Sequence, residues 1–303
     1  MSKRVLLTGA SGFIGRHCAA PLWAAGYEVH AVSSQPRTET TPEMRWHRSD
    51  LLDHAQVNRV LTEVKPTHLL HLAWYAVPGK YTISPENLRW CQASLELLRA
   101  FAENGGQRAV LAGSCFEYDL SYGYCSEELT PTRPATLYGV CKSGTEQVVR
   151  GFSRELGLSS AWGRIFYLYG PEEAPARLVP SVILSLLRGE RARCTHGRQL
   201  RDFLHVQDVA EAFIALLNSA VAGAVNIGSG EPVTIRSLVG QIARRLEAED
   251  RVDFGAIESA PSDPPAVIAN AQKLREQVGW APRWTLDEGL ASTIRWWQER
   301  IAR

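Results

Sequence analysis

The chain has 303 residues, with 33 Lys plus Arg against 32 Asp plus Glu, so its formal net charge is +1. That balance excludes the clustered positive excess of a nucleic-acid binder or a polybasic membrane anchor, and neither partner is expected. Hydrophobic residues make up 45% and charged residues 21%, too apolar for a disordered chain, and no apolar run is long enough for a transmembrane helix. The cysteines Cys18, Cys91, Cys115, Cys125, Cys141 and Cys194 stand far apart without a Cys-x-x-Cys pair. No disulfide framework or metal site is therefore expected, and the thiols read as reduced in a cytoplasmic protein. The apolar stretch Val5–Leu7 is too short for a signal peptide.

In chain order, Val5–Leu7, Glu28–Val32, Met44–His47, His68–Leu72, Ala109–Ala112 and Ala161–Leu168 read as strands. Amphipathic segments at Gly12–Ala25, Asp53–Glu63, Glu86–Ala102 and Tyr138–Leu156 alternate with them as helices. This alternation predicts an α/β fold, a Rossmann-like doubly wound parallel sheet covered on both faces. Pro21 is expected to kink the first helix. After Gly170-Pro171 come helices at Leu178–Arg188 and Val206–Asn218, a short strand Ala224–Ile227 and a helix from Thr234. A Pro-rich stretch and helices near Ala271–Val278 and Leu286–Arg300 follow. The expected organisation is a dinucleotide-binding domain from 1–170 and 201–229, with a smaller, interwoven substrate domain from 171–200 and 230–303. The crevice between them is the expected ligand site.

Thr8-Gly9-Ala10-Ser11-Gly12-Phe13-Ile14-Gly15 follows the first strand and opens the first helix. Gly9 permits a tight turn, Gly12 lets backbone approach a pyrophosphate and Gly15 lets helix pack on strand. The helix N-terminus adds free N–H groups and a positive dipole. Gly9, Ser11, Gly12, Phe13, Ile14 and Gly15 are thus candidate cofactor-binding residues. Tyr138 and Lys142 lie four apart on one helix and share a face. An ammonium near a phenol favours the phenolate, so Lys142 is expected to lower the Tyr138 pKa. His68 and His71 fall on opposite faces of an extended segment and make no metal site.

The Gly-x-x-Gly-x-x-Gly spacing, Asp50-Leu51, His71-Leu72-Ala73, the Tyr138–Lys142 motif, Arg201–Val206 and Asn226–Gly230 occur in order along nearly the whole chain. Together they resemble the extended, nucleotide-sugar-modifying branch of the short-chain dehydrogenase/reductase superfamily. The resemblance implies that Asp50 and Leu51 contact the adenine end of the cofactor and that Leu72 and Ala73 flank it. It implies the same for Phe166, and that Tyr138 and Lys142 hold the nicotinamide end. It implies catalysis by Ser114, Tyr138 and Lys142, with Tyr138 exchanging a proton with the sugar oxygen and Ser114 donating to that oxygen. Family dehydratases follow the Ser/Thr with Asp-Glu. Here Cys115 and Phe116 stand there, which disfavours dehydration. Glu117 comes one position too late and is expected on the other face.

The second strand ends in Ser33-Ser34-Gln35-Pro36-Arg37 without the acid that binds an NAD ribose. Ser33, Ser34 and Arg37 suit a 2′-phosphate, so NADP(H) is favoured and NAD(H) is the alternative. On the substrate side, the resemblance assigns Arg201 and His205 to the diphosphate and Asp263 to the nucleotide ribose. Two departures are Ala260, where the family carries Arg, and Arg177, where it carries Asn. Trp74, Cys115, Phe116 and Arg177 join the substrate set, with Tyr75, Lys80, Tyr81 and Tyr118 facing the same sugar pocket. The tail around Phe254–Glu258 and Gly279-Trp280 resembles nucleotide-deoxysugar 4-ketoreductases of the CDP-abequose synthase type.

The expected activity is NADPH-dependent reduction of a nucleotide-diphosphate keto-sugar, a 4-keto-6-deoxyhexose. The alternatives are a nucleotide-sugar 4-epimerase that retains its cofactor, and a non-catalytic dinucleotide-sensing module. A homodimer is expected through the helices near Glu86–Ala102 and Tyr138–Leu156, with Leu88, Cys91, Leu95 and Leu98 as an apolar stripe.

Overall fold

A computed structural model describes residues 3–37 and 43–302. Its first part runs β1 (Lys3–Thr8), α1 (Ala19–Ala24), β2 (Tyr27–Ser33), β3 (Met44–Arg48), α2 (His54–Val64), β4 (His68–His71), α3 (Glu86–Glu103) and β5 (Arg108–Ser114). Then come β6 (Tyr124–Cys125), α4 (Leu137–Leu156), β7 (Ser159–Ile165), β8 (Tyr167–Tyr169), α5 (Leu178–Leu187), β9 (Ala192–Cys194) and β10 (Leu200–His205). The chain continues through α6 (Val206–Asn218), β11 (Gly223–Ile227), β12 (Pro232–Thr234), α7 (Ile235–Arg245) and β13 (Val252–Phe254). It closes with β14 (Ala266–Ala269), α8 (Gln272–Glu276) and α9 (Leu286–Ile301).

Seven parallel strands in the order β11-β7-β5-β4-β1-β2-β3 form the large sheet, a Rossmann-like doubly wound α/β fold. Alternate β1 side chains feed opposite faces, because a strand alternates sides. Val5 and Leu7 pack with Leu22, Val209 and Phe213 under α1 and α6, and Leu6 packs with Val60, Leu97 and Phe101 under α2 and α3. The strand order reverses between β1 and β4. Their carboxyl ends meet at Thr8 and His71, the switch point where such sheets bind ligands.

A smaller sheet, β12-β10-β14-β6 with β8 beside β10, sits with a second core of Val179, Ile183, Leu238, Ile242, Leu290 and Trp297 under α5, α7 and α9. Residues 201–205, expected in the large sheet, lie in this small one as part of β10, while α6 and β11 return to the large sheet. The single strand read over Ala161–Leu168 is two strands. Phe166 gives its N–H to Ile227 O at 3.0 Å, and the chain then crosses from one sheet to the other.

The first helix is also not continuous from Gly12. A 3-10 turn at Gly15–His17 precedes α1, and Pro21 falls in the first turn of α1, where a missing N–H costs least. Among the described residues, no helix is long and apolar enough to cross a membrane.

Candidate active site

The glycine turn lies at the switch point. Gly9 has φ +71°, and a Cβ there would stand 2.8 Å from Ala73 N, so only glycine lets β1 turn against β4. Gly12 N–H donates to Gly9 O at 2.8 Å. A Cβ on Gly15 would collide with Gly9 O and Ala10 Cα. The residues present therefore fit a dinucleotide: backbone stripped of side chains, at a strand-to-helix turn where the carboxyl ends of β1 and β4 meet. Arg16, which the sequence reading passed over, braces the turn by donating to Ser11 O (2.8 Å) and Gly12 O (3.1 Å), and it pairs with Glu172.

Behind the turn, Thr8, His71 and Ser94 tie β1, β4 and α3 together. Ser94 Oγ donates to Trp90 O (2.7 Å), so it accepts from His71 Nε2 (2.8 Å). Nδ1 of that tautomer accepts from Thr8 Oγ1 (2.7 Å), which in turn accepts Ala73 N–H (3.3 Å). Burial, and then the Lys142 charge, push the His71 pKa down to about 3, which keeps the ring neutral in this network.

At the end of β2, Ser33 Oγ accepts Gln35 N–H (3.2 Å) and Ser34 is exposed. The Arg37 guanidinium lies 5.6 Å from the Trp46 ring. Ser33 is in register with Arg48 on β3, a further cation at this edge that the motifs did not point to. Asp50 Oδ1 caps Leu52 N–H at 3.0 Å, and Leu51 is half-buried beside it.

Ser114 ends β5, and Tyr138 and Lys142 project from α4. Thr136 caps α4 by accepting Gly139 N–H (3.1 Å), and Tyr138 N–H donates to Thr82 O (3.0 Å), locking the helix start to the loop after β4. The Tyr138 ring meets Tyr81 edge to face (4.9 Å, 89°), with Phe116 at 6.3 Å and Trp74 at 6.4 Å. Lys142 Nζ donates to Ala112 O (2.7 Å) and lies 3.6 Å from the centre of the Trp74 ring. Trp74 is itself held by Nε1 donating to Asn87 Oδ1 (2.8 Å).

The expected lowering of the Tyr138 pKa is not what this arrangement produces. Burial pushes the phenol well above its usual range, and the Ser114 hydrogen bond opposes this only in part. The reason is geometric. Lys142 Nζ is 6.0 Å from the Tyr138 ring centre and faces Trp74 and a carbonyl instead. Burial also lowers the Lys142 pKa, with Glu117 pulling it back up.

Glu117 is the main residue that sequence reasoning misplaced. It is fully buried. Its Oε1 accepts Ser114 N–H (2.7 Å) and Trp162 Nε1–H (2.8 Å), and its Oε2 accepts Arg164 Nε–H (2.7 Å). Residues Cys115–Glu117 form a 3-10 turn, not an extended segment, so the third residue folds back under the first. The available signal was Arg164, the one charged residue in β7.

The structure brings Trp74 and Phe116 to the Tyr138 ring, and the Arg177 guanidinium lies 5.3 Å from the centre of the Tyr81 ring, which itself packs on Tyr138. The other substrate candidates are placed differently. Arg201 is buried and pairs with Asp263, which also accepts Gln199 Nε2–H (2.9 Å), so these two candidates bind each other. His205 is 2% exposed, stacked on Trp284 (4.4 Å, 30°) and edge-on to Tyr169, not facing an open cleft, and burial lowers its pKa to about 4. Burial pushes the Cys115 thiol pKa far up. Phe166 packs in the core of Cys115, Tyr118, Cys125, Val267 and Ala269. Tyr118 is turned inward, donating to Asn226 Oδ1 at 2.7 Å. Tyr75 is half-buried and Lys80 exposed.

Comparison with known proteins fits this geometry. The sequence model of the NAD dependent epimerase/dehydratase family matches residues 5–228. The UDP-glucose 4-epimerase of Azospirillum brasilense is 28% identical over 99% of this chain and 93% of that protein. The dTDP-glucose 4,6-dehydratase of Neisseria gonorrhoeae is 26% identical over 99% and 97%. The solved structure of MoeE5 in complex with UDP-glucose and NAD superposes with a TM-score of 0.86 and 32% identity over 98% of this chain and 99% of that one. The chain belongs to the NAD dependent epimerase/dehydratase family, the extended short-chain dehydrogenase/reductases that modify nucleotide sugars.

Proposed function

We propose that the protein is an NADPH-dependent reductase of a nucleotide-diphosphate 4-keto-6-deoxyhexose. The observation that carries this reading is the wall around Tyr138. Phe116, Tyr81 and Trp74 surround the hydroxyl-bearing ring, and Cys115, where a dehydratase needs an acid, is a buried neutral thiol. A carbonyl can be reduced there, but neither of the two positions after Ser114 carries a carboxylate to eliminate water, and Glu117 is tied to Trp162 and Arg164. A dinucleotide held by the turn of Gly9, Gly12 and Gly15 would supply the hydride that such a reduction needs. Tyr138 gives its hydroxyl proton to the oxygen, and Ser114 donates a hydrogen bond to the same oxygen, leaving an alcohol. A phenol held above its usual pKa is protonated at neutral pH, which suits a proton donor. Lys142, held against Trp74 with its Nζ 6.0 Å from the Tyr138 ring centre, acts on the tyrosinate left behind only across that distance, and the tyrosinate is reprotonated from solvent after the product leaves.

A second reading, a 4-epimerase that keeps its cofactor, draws support from the Azospirillum brasilense relative. Incubating the protein with added NADPH and a panel of nucleotide-linked 4-keto-6-deoxy sugars, beside the parent nucleotide hexoses without cofactor, separates the two. Net NADPH consumption supports the reductase. Interconversion of the hexoses without added cofactor supports the epimerase.

Cofactor choice is part of the proposal. Ser33, Ser34 and Arg37 carry no negative charge against a 2′-phosphate, so NADPH should bind at least about tenfold more tightly than NADH, and Ser33→Asp should reverse the order. Direct titration of both dinucleotides tests this, and a wild-type preference for NADH would defeat it.

We also propose a homodimer through α3 and α4. The apolar stripe read from the sequence divides. Leu98 is core, Cys91 and Leu95 are half-buried, and Leu88 is 60% exposed. On α4, Val140 and Val148 are each 51% exposed. Light scattering should give twice the chain mass for the wild type and the chain mass for Val148→Asp; a monomeric wild type at micromolar concentration would contradict the assignment.

A further inference from the structure

We propose that Glu117 is a positioning residue of the active site: its buried carboxylate holds the Ser114 turn beneath Tyr138 and sets a negative charge behind Lys142. The inference rests on the reading that Ser114, Tyr138 and Lys142 act on the substrate. One Glu117 oxygen accepts the Ser114 N–H at 2.7 Å and the Trp162 indole N–H at 2.8 Å, and the other accepts from Arg164 at 2.7 Å. The carboxylate thus joins the end of β5, which carries Ser114, to its neighbour β7. Ser114 Oγ accepts Phe116 N–H (3.2 Å) in the reciprocal half of the same cap, so the hydroxyl orientation and the carboxylate are one unit. Gly113 makes room for it, since a Cβ there would stand 2.6 Å from Glu117 Oε1.

Stability alone does not explain this pair. Two fully desolvated charges gain little over well-packed apolar side chains of the same volume. What the pair does supply is fixed geometry and charge. The groups facing Lys142 are few. They are the Ala112 carbonyl at 2.7 Å, Trp74, Trp162 and Tyr138 at 3.6, 5.7 and 6.0 Å from Nζ to ring centre, Cys91 from α3, the neutral His71 from β4, and Glu117. Glu117 is the one carboxylate among them. The second buried carboxylate nearby, Glu146 on α4, pairs with Arg150 at 3.9 Å and feels the Arg164 charge. Glu117 therefore favours a charged Lys142 in a place where burial opposes it.

The test compares wild type, Tyr138→Phe, Glu117→Gln and the double variant Glu117→Gln/Arg164→Gln on the same substrate. Kinetics are followed across pH, with a thermal melt of each protein. Removing the carboxylate charge lowers the Lys142 pKa, and activity that needs the charged amine is lost as pH rises through that value. The alkaline limb of kcat should therefore move to lower pH by about one unit, with kcat down about tenfold or more and KM changed less than about threefold. The double variant leaves no unpaired buried charge, so it should fold and show the same shift. Unchanged kcat and an unmoved alkaline limb in either folded variant would overturn the inference. Failure of both variants to fold would overturn it too, because the pair would then be a folding requirement. Near-normal turnover by Tyr138→Phe would instead defeat the functional reading on which the inference rests.

Discussion

Tyr138→Phe should lower turnover by about 10²–10⁴-fold, the usual contribution of a positioned acid–base group, while dinucleotide affinity stays within about threefold. The substitution removes one oxygen and leaves the ring that packs against Tyr81, Phe116 and Trp74. Its backbone N–H still bonds Thr82 O, so α4 and Lys142 should keep their places. Burial of the phenol removes a competing route, because water does not readily stand in for a proton donor inside an aromatic wall. Single-turnover kinetics and dinucleotide titration check the two halves separately. A folded variant with near-normal turnover would take Tyr138 out of its role.

Gly15→Ala should lose at least about tenfold in dinucleotide affinity and about 1–3 kcal/mol in stability, the usual cost of overpacking. The added methyl would run into Gly9 O and Ala10 Cα, both backbone, so no side chain can swing aside. The turn has to open, and with it the hydrogen bond from Gly12 N–H to Gly9 O that shapes the anion site. Gly26→Ala is the control for a generic glycine effect, since its Cβ would meet nothing within 4 Å although its φ is +83°. That control should cost stability through backbone strain alone and leave dinucleotide affinity unchanged. Equal affinity losses in both variants, measured by titration and thermal melting, would contradict the assigned role of Gly15.

The parts of the fold set by local pattern were legible. The strand period in β1, β2, β4 and β5 and the helical period in α3, α4 and α6 place those elements within a residue or two. What failed depends on long-range partners. Ala161–Leu168 looks uniformly strand-like, but Phe166 breaks it because Ile227 O accepts its N–H and the following strand finds β10 instead. Residues 201–205 join the small sheet for the same reason, since nothing local says which sheet a short strand will pair with.

In the site, Tyr138 and Lys142 project from α4 toward the end of β5 that carries Ser114. Glu117 was misread because a 3-10 turn and an extended segment differ in which side the third residue takes, and the sequence Cys115-Phe116-Glu117 does not choose between them. Arg201 and Asp263 were each assigned to a ligand, and their mutual pairing across 62 residues has no local signature. Lys142 was expected to act on Tyr138 directly. Trp74, contributed by a different loop, captures its ammonium face.

The most direct measurement follows deuterium. The protein would be incubated with NADPH carrying deuterium on the transferring face of the nicotinamide and with a nucleotide-linked 4-keto-6-deoxy sugar. The product would then be examined by mass and proton spectra. One deuterium at the reduced carbon, with one NADPH consumed per product formed, is the result the account predicts. No deuterium in the sugar and no net NADPH consumption across the keto-sugar panel, with the wild-type protein folded and binding dinucleotide, would contradict it.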